Sequence, residues 1–425
     1  MARFIEMMRT PMSTASAASR AIRCRLRMLF NSDRLDREMG LAGLDGLIAC
    51  SAANVCYLTD IRSIALSSFP HSPECFAVLS RSDAKRISFV SSFCEIDQVL
   101  DADPAVGHTA GFGTFYRTAS ESVELNDREK RLESIMRDSA RGDTALEALV
   151  LAIREFDLID KTIGVDEVAV THAFLRALQE SLPSVRLTPA STFFRKLRRI
   201  KTPEEVQRLT DATRIAEEGV RAIVTITSEG ITEYELAREF EREIVSRGAS
   251  PGFTLVRIGR NAVAQQALPD STQLRRGEAV WIDVGCSYRG YWADIARVVT
   301  LGPPGDKLKR IYEAARRGEE EGIESARSGM PVADLFRTVA DTVRNSGIEH
   351  FQRHHVGHAI GLEAYDDPVL SADSTDVLEA GMVINIETPY YEFGFGAVNV
   401  EDPILIQPDG ARRLGTLPDA LITVD

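Results

Sequence analysis

The stretch "WIDVGCSYRGYWADIARVV", residues 281–299, places two aspartates, Asp283 and Asp294, inside apolar runs. Its two ends are typical of β-strands, and "CSYRG" between them is turn-like. An antiparallel hairpin would bring the two carboxylates onto neighbouring strands that face the same interior. Because a lone buried carboxylate is costly, the stretch predicts a partner that offsets both charges.

Three more residues that can bind metal lie downstream in apolar surroundings. His358 lies in "RHHVGHAIGLEAYDDP", Glu387 in "GMVINIETPYYEFG" and Glu401 in "GAVNVEDPILI", and the last two runs are β-rich. Few basic residues in these runs can pair the acids, whereas a dinuclear site neutralises them by coordination. We therefore predict two divalent metal ions that share a hydroxide and polarise a carbonyl oxygen. Mn is the expected metal, with Co, Fe or Zn as alternatives.

The composition narrows the class of protein. The formal net charge of −13 disfavours a nucleic-acid partner, because backbone phosphates would be repelled. No apolar run approaches the roughly 20 residues that a membrane-spanning helix needs. The six cysteines form no regular framework, which fits buried thiols in a reducing compartment. We expect a cytoplasmic protein that acts on a small molecule or short peptide, without a nucleic-acid or membrane partner.

The chain divides into three predicted segments. Residues 1–27 are rich in Arg and Ser, and we interpret them as an extension, either a disordered transit-like segment or the product of an over-extended start codon. Over residues 28–195, helical patterns alternate with the β-rich runs "LIACS", "NVCYLTD", "CFAVLS" and "RISFVSS", which predicts a mixed α/β domain. Thr202 followed by Pro203 is a helix-start signature just past the boundary, and residues 196–425 form the second predicted domain.

The second domain contains two similar segments, which suggest an internal repeat. "GITEYELAREFEREIVSRG" (230–248) and "GMPVADLFRTVADTVRNSG" (329–347) align without a gap, 99 residues apart. The match suggests two helix-plus-sheet halves related by pseudo-symmetry, and a site between such halves would draw ligands from both. The alternative is the general likeness of amphipathic helices.

Together these motifs resemble the pita-bread metallohydrolases, which include prolidase, aminopeptidase P, methionine aminopeptidase and creatinase. The order Asp, Asp, His, Glu, Glu matches that family's five metal ligands. By this resemblance, Asp283 chelates one metal, Asp294 and Glu401 bridge both, and His358 and Glu387 complete the second. The N-terminal half resembles the creatinase and prolidase branch. The resemblance therefore implies a creatinase-like N-terminal α/β domain, a C-terminal pita-bread domain and a homodimer.

The residues around the predicted metals depart from the prolidase and aminopeptidase P pattern. Gln266, Tyr365 and Asn399 stand where that branch has histidine, histidine and arginine, and Thr388 replaces a common proline. The first three changes exchange charged or titratable groups for neutral polar ones, which alters proton transfer and carboxylate recognition. We predict that these three residues contact a substrate different from the usual one. The alternative is drift in a peptidase that tolerates the changes.

Other residues near the motifs have weaker assignments. His354 matches a family position near the active site and is predicted to line the pocket as a catalytic residue, whereas His355 is predicted to face away. Trp281 and Trp292 are interpreted as core residues. The aromatic run at 389–396 is interpreted as a cap over the pocket or as a packed hairpin loop.

The expected activity is metal-dependent hydrolysis of a C–N bond in a small amide or peptide-like substrate by metal-bound hydroxide. The resemblance implies that Glu387 shuttles the proton. Three alternatives stay open: a genuine Xaa-Pro dipeptidase or aminopeptidase, a non-peptide hydrolase or lyase on the same fold, and a non-catalytic binding protein. The lyase members tend to carry an acid at the position of Gly285, and the complete set of five ligands argues against the binding protein.

Overall fold

The structure of the protein is a computed structural model, which describes residues 29–69, 74–102, 106–118, 120 and 122–425. The predicted extension at 1–27 lies outside these described residues. The chain forms two mixed α/β domains, so the fold class expected from the sequence is confirmed. None of the helices in the described ranges combines the length and the hydropathy that crossing a bilayer requires.

The N-terminal domain is built around a seven-stranded mixed sheet. Its strands are β1 (Gly46–Ala49), β2 (Cys75–Ser80), β3 (Ile87–Ser92), β4 (Val106–Phe112), β5 (Ala140–Gly142), β6 (Thr162–Val165) and β7 (Arg186–Pro189). Its helices are α1 (Ser32–Ala42), α2 (Ala52–Thr59), α3 (Ile64–Ser68), α4 (Asp127–Asp138), α5 (Ala145–Glu155), α6 (His172–Ser181) and α7 (Ser191–Arg198), with 3-10 turns at Arg81–Asp83, Ile96–Leu100 and Glu167–Ala169. The strand order is β5-β4-β3-β2-β1-β6-β7.

Successive residues of the central strands face two different cores, as a sheet covered on both sides requires. Phe76 belongs to the core that includes helix α5, whereas Ala77 belongs to the core that includes helix α2. That second core also contains Tyr291 and Ile360 of the C-terminal domain. The two domains therefore share one hydrophobic core.

One predicted strand of the N-terminal domain is wrong. The run "NVCYLTD" lies in helix α2, which begins after Ser51, whose hydroxyl accepts the N–H of Asn54. Every residue from Asn54 to the end of the helix is buried, so the run has no polar face to show a helical period. The other three β-rich runs form β1, β2 and β3, as predicted.

The C-terminal domain begins with the helix that the sequence signature predicts. Helix α8 starts at Pro203, the Thr202 hydroxyl accepts the N–H of Glu205, and the Glu205 carboxylate accepts the N–H of Thr202. This reciprocal pair is a capping box. Helix α7 runs through the predicted domain boundary between residues 195 and 196. The position of that boundary stays a prediction.

The remaining elements form one nine-stranded sheet flanked by two helix pairs, and a separate two-stranded hairpin. The helices are α8 (Pro203–Ile226), α9 (Glu233–Ser246), α10 (Asp306–Ser325) and α11 (Val332–Asn345), with a 3-10 turn at Gly259–Ala264. The strands are β8 (Ser250–Ile258), β9 (Ala279–Tyr288), β10 (Tyr291–Leu301), β11 (His355–Ala359), β12 (Asp366–Ser371), β13 (Val383–Glu387), β14 (Tyr390–Glu392), β15 (Gly396–Val398), β16 (Glu401–Gln407), β17 (Gly410–Arg413) and β18 (Ile422–Val424).

The two halves predicted from the internal repeat are present in this sheet. Its order is β12-β11-β13-β16-β10-β9-β8, so β16 and β10 meet at the centre. Helices α9 and α11 span residues 233–246 and 332–345, a constant offset of 99 residues. Each half contributes a helix pair and an antiparallel strand pair, β9 with β10 and β13 with β16. Strands β14 and β15 form a separate small hairpin.

Candidate metal centre

The β9–β10 hairpin places Asp283 and Asp294 on one face of the sheet, as predicted. Asp283 lies opposite Ala296 and Asp294 opposite Gly285, so the two aspartates are diagonal neighbours. The predicted turn "CSYRG" is too long, because β9 continues to Tyr288. Only Arg289 and Gly290 form the turn, and both have positive φ, 51° and 88°, the conformation that tight hairpins require.

The second strand pair, β13 with β16, places the two glutamates opposite each other. Glu387 of β13 lies directly opposite Glu401 of β16, and Glu401 in turn lies opposite Ala296 of β10. Strand β11, which carries His358, pairs with the other edge of β13. The five predicted ligands therefore come from five strands, β9, β10, β11, β13 and β16, on both sides of the seam between the halves.

Three of these residues form a compact group that can hold a metal ion. One ligand atom from each of Asp294, His358 and Glu401 lies within 4.8 Å of the other two. The Nε2 atom of His358 lies 3.6 Å from Asp294 Oδ2 and 3.9 Å from Glu401 Oε1. All three side chains are buried.

The hydrogen bonds of His358 prepare it for a metal. Its Nδ1 atom lies 3.0 Å from the carbonyl oxygen of Ala359 and donates to it, which leaves the Nε2 lone pair towards the carboxylates. Nε2 is buried and has no hydrogen-bond partner in the described structure, and neither has Oδ1 of Asp294. A histidine held by a backbone carbonyl, with its second nitrogen unpartnered, is the usual state of a metal ligand. The donor set therefore fits a divalent cation.

Asp283 and Glu387 lie beside this group. Burial raises the pKa of Asp283, and the carboxylates of Asp294 and Glu387 raise it further. Burial also raises the pKa of Glu401 well above its usual range, together with the charge of Asp294. Acids that crowd each other in this way bind protons or cations tightly. Cations that replace the protons would relieve the repulsion.

The structure corrects the prediction that His355 faces away from the site. His355 is buried, and its Nδ1 atom lies 2.8 Å from Oε1 of Glu387. Burial raises the pKa of Glu387, but the contact with His355 and the charges of His358 and Arg353 together outweigh it, so that the pKa is lowered. His354, the predicted catalytic histidine, is exposed and packs edge-on against His355 at 4.2 Å between ring centroids. Its catalytic role stays a prediction.

A β-bulge in strand β11 explains why His355 faces the site. Residues 355 and 358 are three apart and would face opposite sides of a regular strand. Strand β11 shifts its register against β12 both between His355 and His358 and between His358 and Ala359, so both histidines reach the site. A single sequence gives no signal for such a bulge.

Asn385 is a site residue that the sequence reasoning missed. Its Nδ2 atom donates to Oε1 of Glu401 at 2.8 Å and to the backbone carbonyl of Asp294 at 3.0 Å. The amide thus joins a predicted ligand from each half of the domain. Its position two residues before Glu387, on the same face of a strand, was the available signal.

The three predicted substrate residues lie in different environments. Tyr365 is 53% exposed and stacks on His358, with 3.6 Å between ring centroids. Gln266 is exposed and bonds to Gln265. Asn399 is fully buried, accepts the N–H of Thr388 and donates to Oε2 of Glu401 at 3.4 Å. Asn399 therefore contacts a predicted ligand and is sealed from solvent.

The departures at positions 388 and 399 belong together. Proline has no N–H, whereas the N–H of Thr388 donates to the backbone carbonyl of Val400 at 3.2 Å and to the Asn399 side-chain oxygen at 3.3 Å. The Thr388 hydroxyl donates to the carbonyl of Ala315, which fixes the same loop to helix α10. The residues at the two positions are thus in direct contact.

The aromatic predictions have mixed outcomes. Trp281 is a core residue, as predicted, and Trp292 packs against the core shared by the two domains. The run at 389–396 contains the β14–β15 hairpin, with Tyr390 buried and Phe393 91% exposed, and a cap over the pocket stays a prediction. Tyr391 of that hairpin contacts Trp281 edge to face, and the guanidinium carbon of Arg353 lies 5.8 Å from the Tyr391 ring centroid.

Comparison with known proteins agrees with this architecture. The profile of the Creatinase/Prolidase N-terminal domain matches residues 32–200, and that of metallopeptidase family M24 matches residues 207–408. The Xaa-Pro dipeptidase of Pyrococcus furiosus is 30% identical over 273 residues, which cover 62% of this chain and 78% of that protein. The uncharacterized peptidase YqhT of Bacillus subtilis is 27% identical over 392 residues, 92% of this chain and 99% of that protein.

A solved structure shows the same fold. The Xaa-Pro dipeptidase from Bacillus anthracis has a TM-score of 0.73 at 23% identity, covering 93% of this chain and 100% of that one. The resemblance proposed from the motifs is confirmed, and with it an enzyme that hydrolyses peptide-like bonds with the help of metal. From its sequence profile, its relatives and its fold, the chain belongs to metallopeptidase family M24.

Proposed function

We propose that this enzyme is a dinuclear hydrolase of short peptides or peptide-like amides, with its active site at the seam of the C-terminal domain. The observation that carries the proposal is the group formed by Asp294, His358 and Glu401, whose buried ligand atoms face each other with His358 Nε2 unpartnered. Xaa-Pro dipeptidases among the relatives support a peptide substrate.

The predicted ligand set is Asp283, Asp294, His358, Glu387 and Glu401. Four carboxylates and one imidazole suit two divalent ions, and Mn is the ion we expect, with Co, Fe or Zn as alternatives. When bound, such ions lower the pKa of a water molecule and polarise the carbonyl oxygen of the substrate.

The chain's own side chains have separate roles around this set. Oε1 of Glu387 carries the proton from the nucleophile towards the leaving nitrogen, and Nδ1 of His355 lies 2.8 Å from this oxygen. Asn385 and Asn399 fix the two oxygens of Glu401 without adding charge. Asn399 thus acts on the ligand, and it replaces the arginine of the prolidase pattern without its charge.

The substrate side of the site is formed by exposed groups. Tyr365 covers the face of His358, and its half-exposed ring offers an apolar wall with a hydroxyl. His354 lies at the rim beside His355. Gln266 completes the predicted substrate contacts. We further propose that the enzyme is cytoplasmic and dimeric, as the resemblance to creatinase and prolidase implies.

Metal analysis combined with a hydrolysis panel tests the proposal. The purified protein, loaded with Mn, is analysed for bound metal and assayed on Xaa-Pro dipeptides, other dipeptides and small amides. Asp294→Asn should lose metal and activity together, whereas Asp409→Asn, at an exposed turn, should lose neither. Full activity of Asp294→Asn, or no metal in the active wild type, would show that the proposed chemistry is wrong.

A further inference from the structure

Arg198, the last residue of helix α7, links the two domains. Its side chain is buried. The guanidinium donates to Oδ1 of Asp366 at 3.2 Å and to the carboxylate of Glu363, both in the C-terminal domain. On its other side it donates to Oδ1 of Asn54 in helix α2 at 2.6 Å. Arg198 therefore connects the N-terminal domain with the segment that leads from strand β11 into strand β12.

The anchor of this link in the N-terminal domain is fixed by a buried carboxylate. Nδ2 of Asn54 donates to Oδ2 of Asp166 at 2.7 Å, and Asp166 is fully buried. The same carboxylate accepts the hydroxyl of Ser51 at 2.6 Å and that of Ser191 at 2.9 Å. Buried polar groups that have their partners keep one arrangement. Asn54 therefore offers Arg198 an acceptor whose position is set by the fold.

The other end of the link lies on both sides of Tyr365. Glu363 and Asp366, the two carboxylates bonded to Arg198, stand two residues before and one residue after Tyr365. The Tyr365 ring stacks on His358, with 3.6 Å between the ring centroids and 17° between the planes. Tyr365 is half exposed, so neighbouring side chains cover only part of it. The position of the ring on His358 therefore depends on the backbone that Arg198 holds.

The stacked Tyr365 ring restrains the imidazole of a predicted metal ligand. Nδ1 of His358 is held by the Ala359 carbonyl alone, and the ring can still tilt about this hydrogen bond. An aromatic ring that lies nearly parallel to the imidazole blocks the tilt from one face, which keeps Nε2 directed at Asp294 and Glu401. Loss of a group that orients a ligand histidine lowers metal affinity by about ten- to hundredfold.

An ion pair at this place contributes direction more than stability. A buried ion pair can often be replaced by apolar side chains without loss of stability, because burial strips both charges of their water. A guanidinium, in contrast, meets carboxylates in a defined geometry. At Arg198 that geometry is imposed on the two residues that flank Tyr365.

We infer that Arg198 is a positioning residue of the metal centre, which is anchored on Asn54 and holds Tyr365 against the metal ligand His358. The N-terminal domain thereby sets the geometry and the affinity of a metal site in the C-terminal domain. This inference rests on the proposed function, because it takes His358 as a metal ligand. Arg198 acts through Tyr365 and is not itself a ligand.

Metal binding tests the inference on the full-length protein. The metal-free protein is titrated with Mn²⁺ and with Co²⁺ in competition with a chelator, and the visible absorption of bound Co²⁺ reports the geometry of its ligands. Arg198→Lys keeps the positive charge but cannot contact all three partners together. We expect it to raise the Kd of both ions about tenfold and to shift the Co²⁺ absorption band. Asn54→Ala, which removes the anchor alone, should act in the same direction.

A double variant shows whether Arg198 acts through Tyr365. Tyr365→Leu changes a half-exposed residue, so the chain should fold, and the Kd should rise by about ten- to hundredfold. Tyr365→Phe keeps the ring and should keep the wild-type Kd. Arg198→Lys/Tyr365→Leu should have the Kd of Tyr365→Leu, because residues that act as one unit are not additive. Effects that multiply in the double variant, or an unchanged Kd in Tyr365→Leu, overturn the inference.

Arg208 provides a matched control for general stability. It is as buried as Arg198 and also joins the domains, through hydrogen bonds to Asp60 at 2.5 and 2.7 Å. Arg208→Lys should lower the melting temperature as Arg198→Lys does, but keep the wild-type Kd and absorption band. Equal changes of Kd and band in the two variants overturn the inference. If Arg198→Lys does not fold, Asn54→Ala takes its place in the double variant.

The wild-type protein separates this inference from the proposed function. If it binds neither Mn²⁺ nor Co²⁺, the proposed function fails, and the inference fails with it. If it binds these ions and Asp294→Asn does not, the metal centre is established. An unchanged Kd and band in Arg198→Lys then overturn the inference alone.

Discussion

Arg297 joins the two central strands from the side of the sheet opposite the predicted metal centre. Its side chain is fully buried and donates two hydrogen bonds to the Asp402 carboxylate, at 2.8 and 3.0 Å. It also donates to backbone carbonyls, including that of Glu401 at 3.0 Å. Because Ala296 and Glu401 are the residues that pair β10 with β16, Arg297 reinforces the seam where the ligands meet.

We expect Arg297→Met to lower the free energy of unfolding by about 4 kcal/mol. Removing one partner of a buried ion pair costs about 3–5 kcal/mol, because the other charge stays buried. The two bonds to Asp402 give a similar sum, since each hydrogen bond to a charged group contributes about 1.5–3 kcal/mol. Among the basic residues that the structure describes, Asp402 then keeps Arg413, at 3.6 Å. The loss corresponds to about a thousandfold change in the folding equilibrium.

Urea denaturation of the Mn-loaded protein measures this loss. Arg317→Met is the matched control, because Arg317 pairs with Glu313 on the surface, and it should cost less than about 1 kcal/mol. The double variant Arg297→Met/Asp402→Leu should recover much of the stability, since no unpaired charge remains. A cost below about 1 kcal/mol for Arg297→Met would refute the reasoning, and so would a double variant less stable than the single one.

Three further predictions concern the metal, Asn385 and Glu205. Chelation should lower the melting temperature in calorimetry, because ions that bind the folded chain at a hundred times Kd stabilise it by about 2.7 kcal/mol. Asn385→Leu frees Glu401 and should weaken metal affinity by about ten- to hundredfold in a chelator competition. Burial raises the pKa of Glu205 from 4.5 to about 7, so the folded protein keeps a proton that the unfolded chain loses. The free energy of unfolding should therefore fall by up to about 3 kcal/mol between pH 4.5 and 7, and Glu205→Gln should abolish this fall.

Each of these predictions has a result that contradicts it. If chelation left the melting temperature of metal-containing protein unchanged, the bound ions would not stabilise the fold. Wild-type metal affinity in Asn385→Leu would mean that Glu401 needs no support. For Glu205, the control is exposed Glu324→Gln, which should keep the wild-type pH profile. If stability rose with pH in the window where Glu205 titrates, the sign of the argument would be wrong.

The parts of the site that depend on the regular alternation of side chains along a strand could be predicted from the sequence. Asp283 and Asp294 share a face because a tight hairpin preserves the alternation of side chains. The interpretation failed where that regularity breaks: the bulge in β11 turns His355 inward. Helix α2 was missed because it is buried on all sides.

The surroundings of Asn399 could not be predicted either, and its contact with substrate stays a prediction. Asn399 looked like a substrate residue because its family counterpart is charged. In the structure its carboxamide accepts the N–H of Thr388, which also donates to the Val400 carbonyl, and it donates to Oε2 of Glu401. Such pairing depends on contacts between strands that a single sequence does not display.

The seam between the two halves has a consequence for the origin of the site. Each half, a helix pair with an antiparallel strand pair, supplies only two of the predicted carboxylate ligands. These are Asp283 and Asp294 in one half and Glu387 and Glu401 in the other. Two identical copies of such a unit around a two-fold axis would already supply four, so an ancestral homodimer could bind two cations before the halves were fused into one gene. His358 has no acidic or imidazole counterpart on the corresponding strand β8. In the proposed two-metal site, two non-identical halves in one chain would allow an imidazole beside one ion alone, which two identical copies would not.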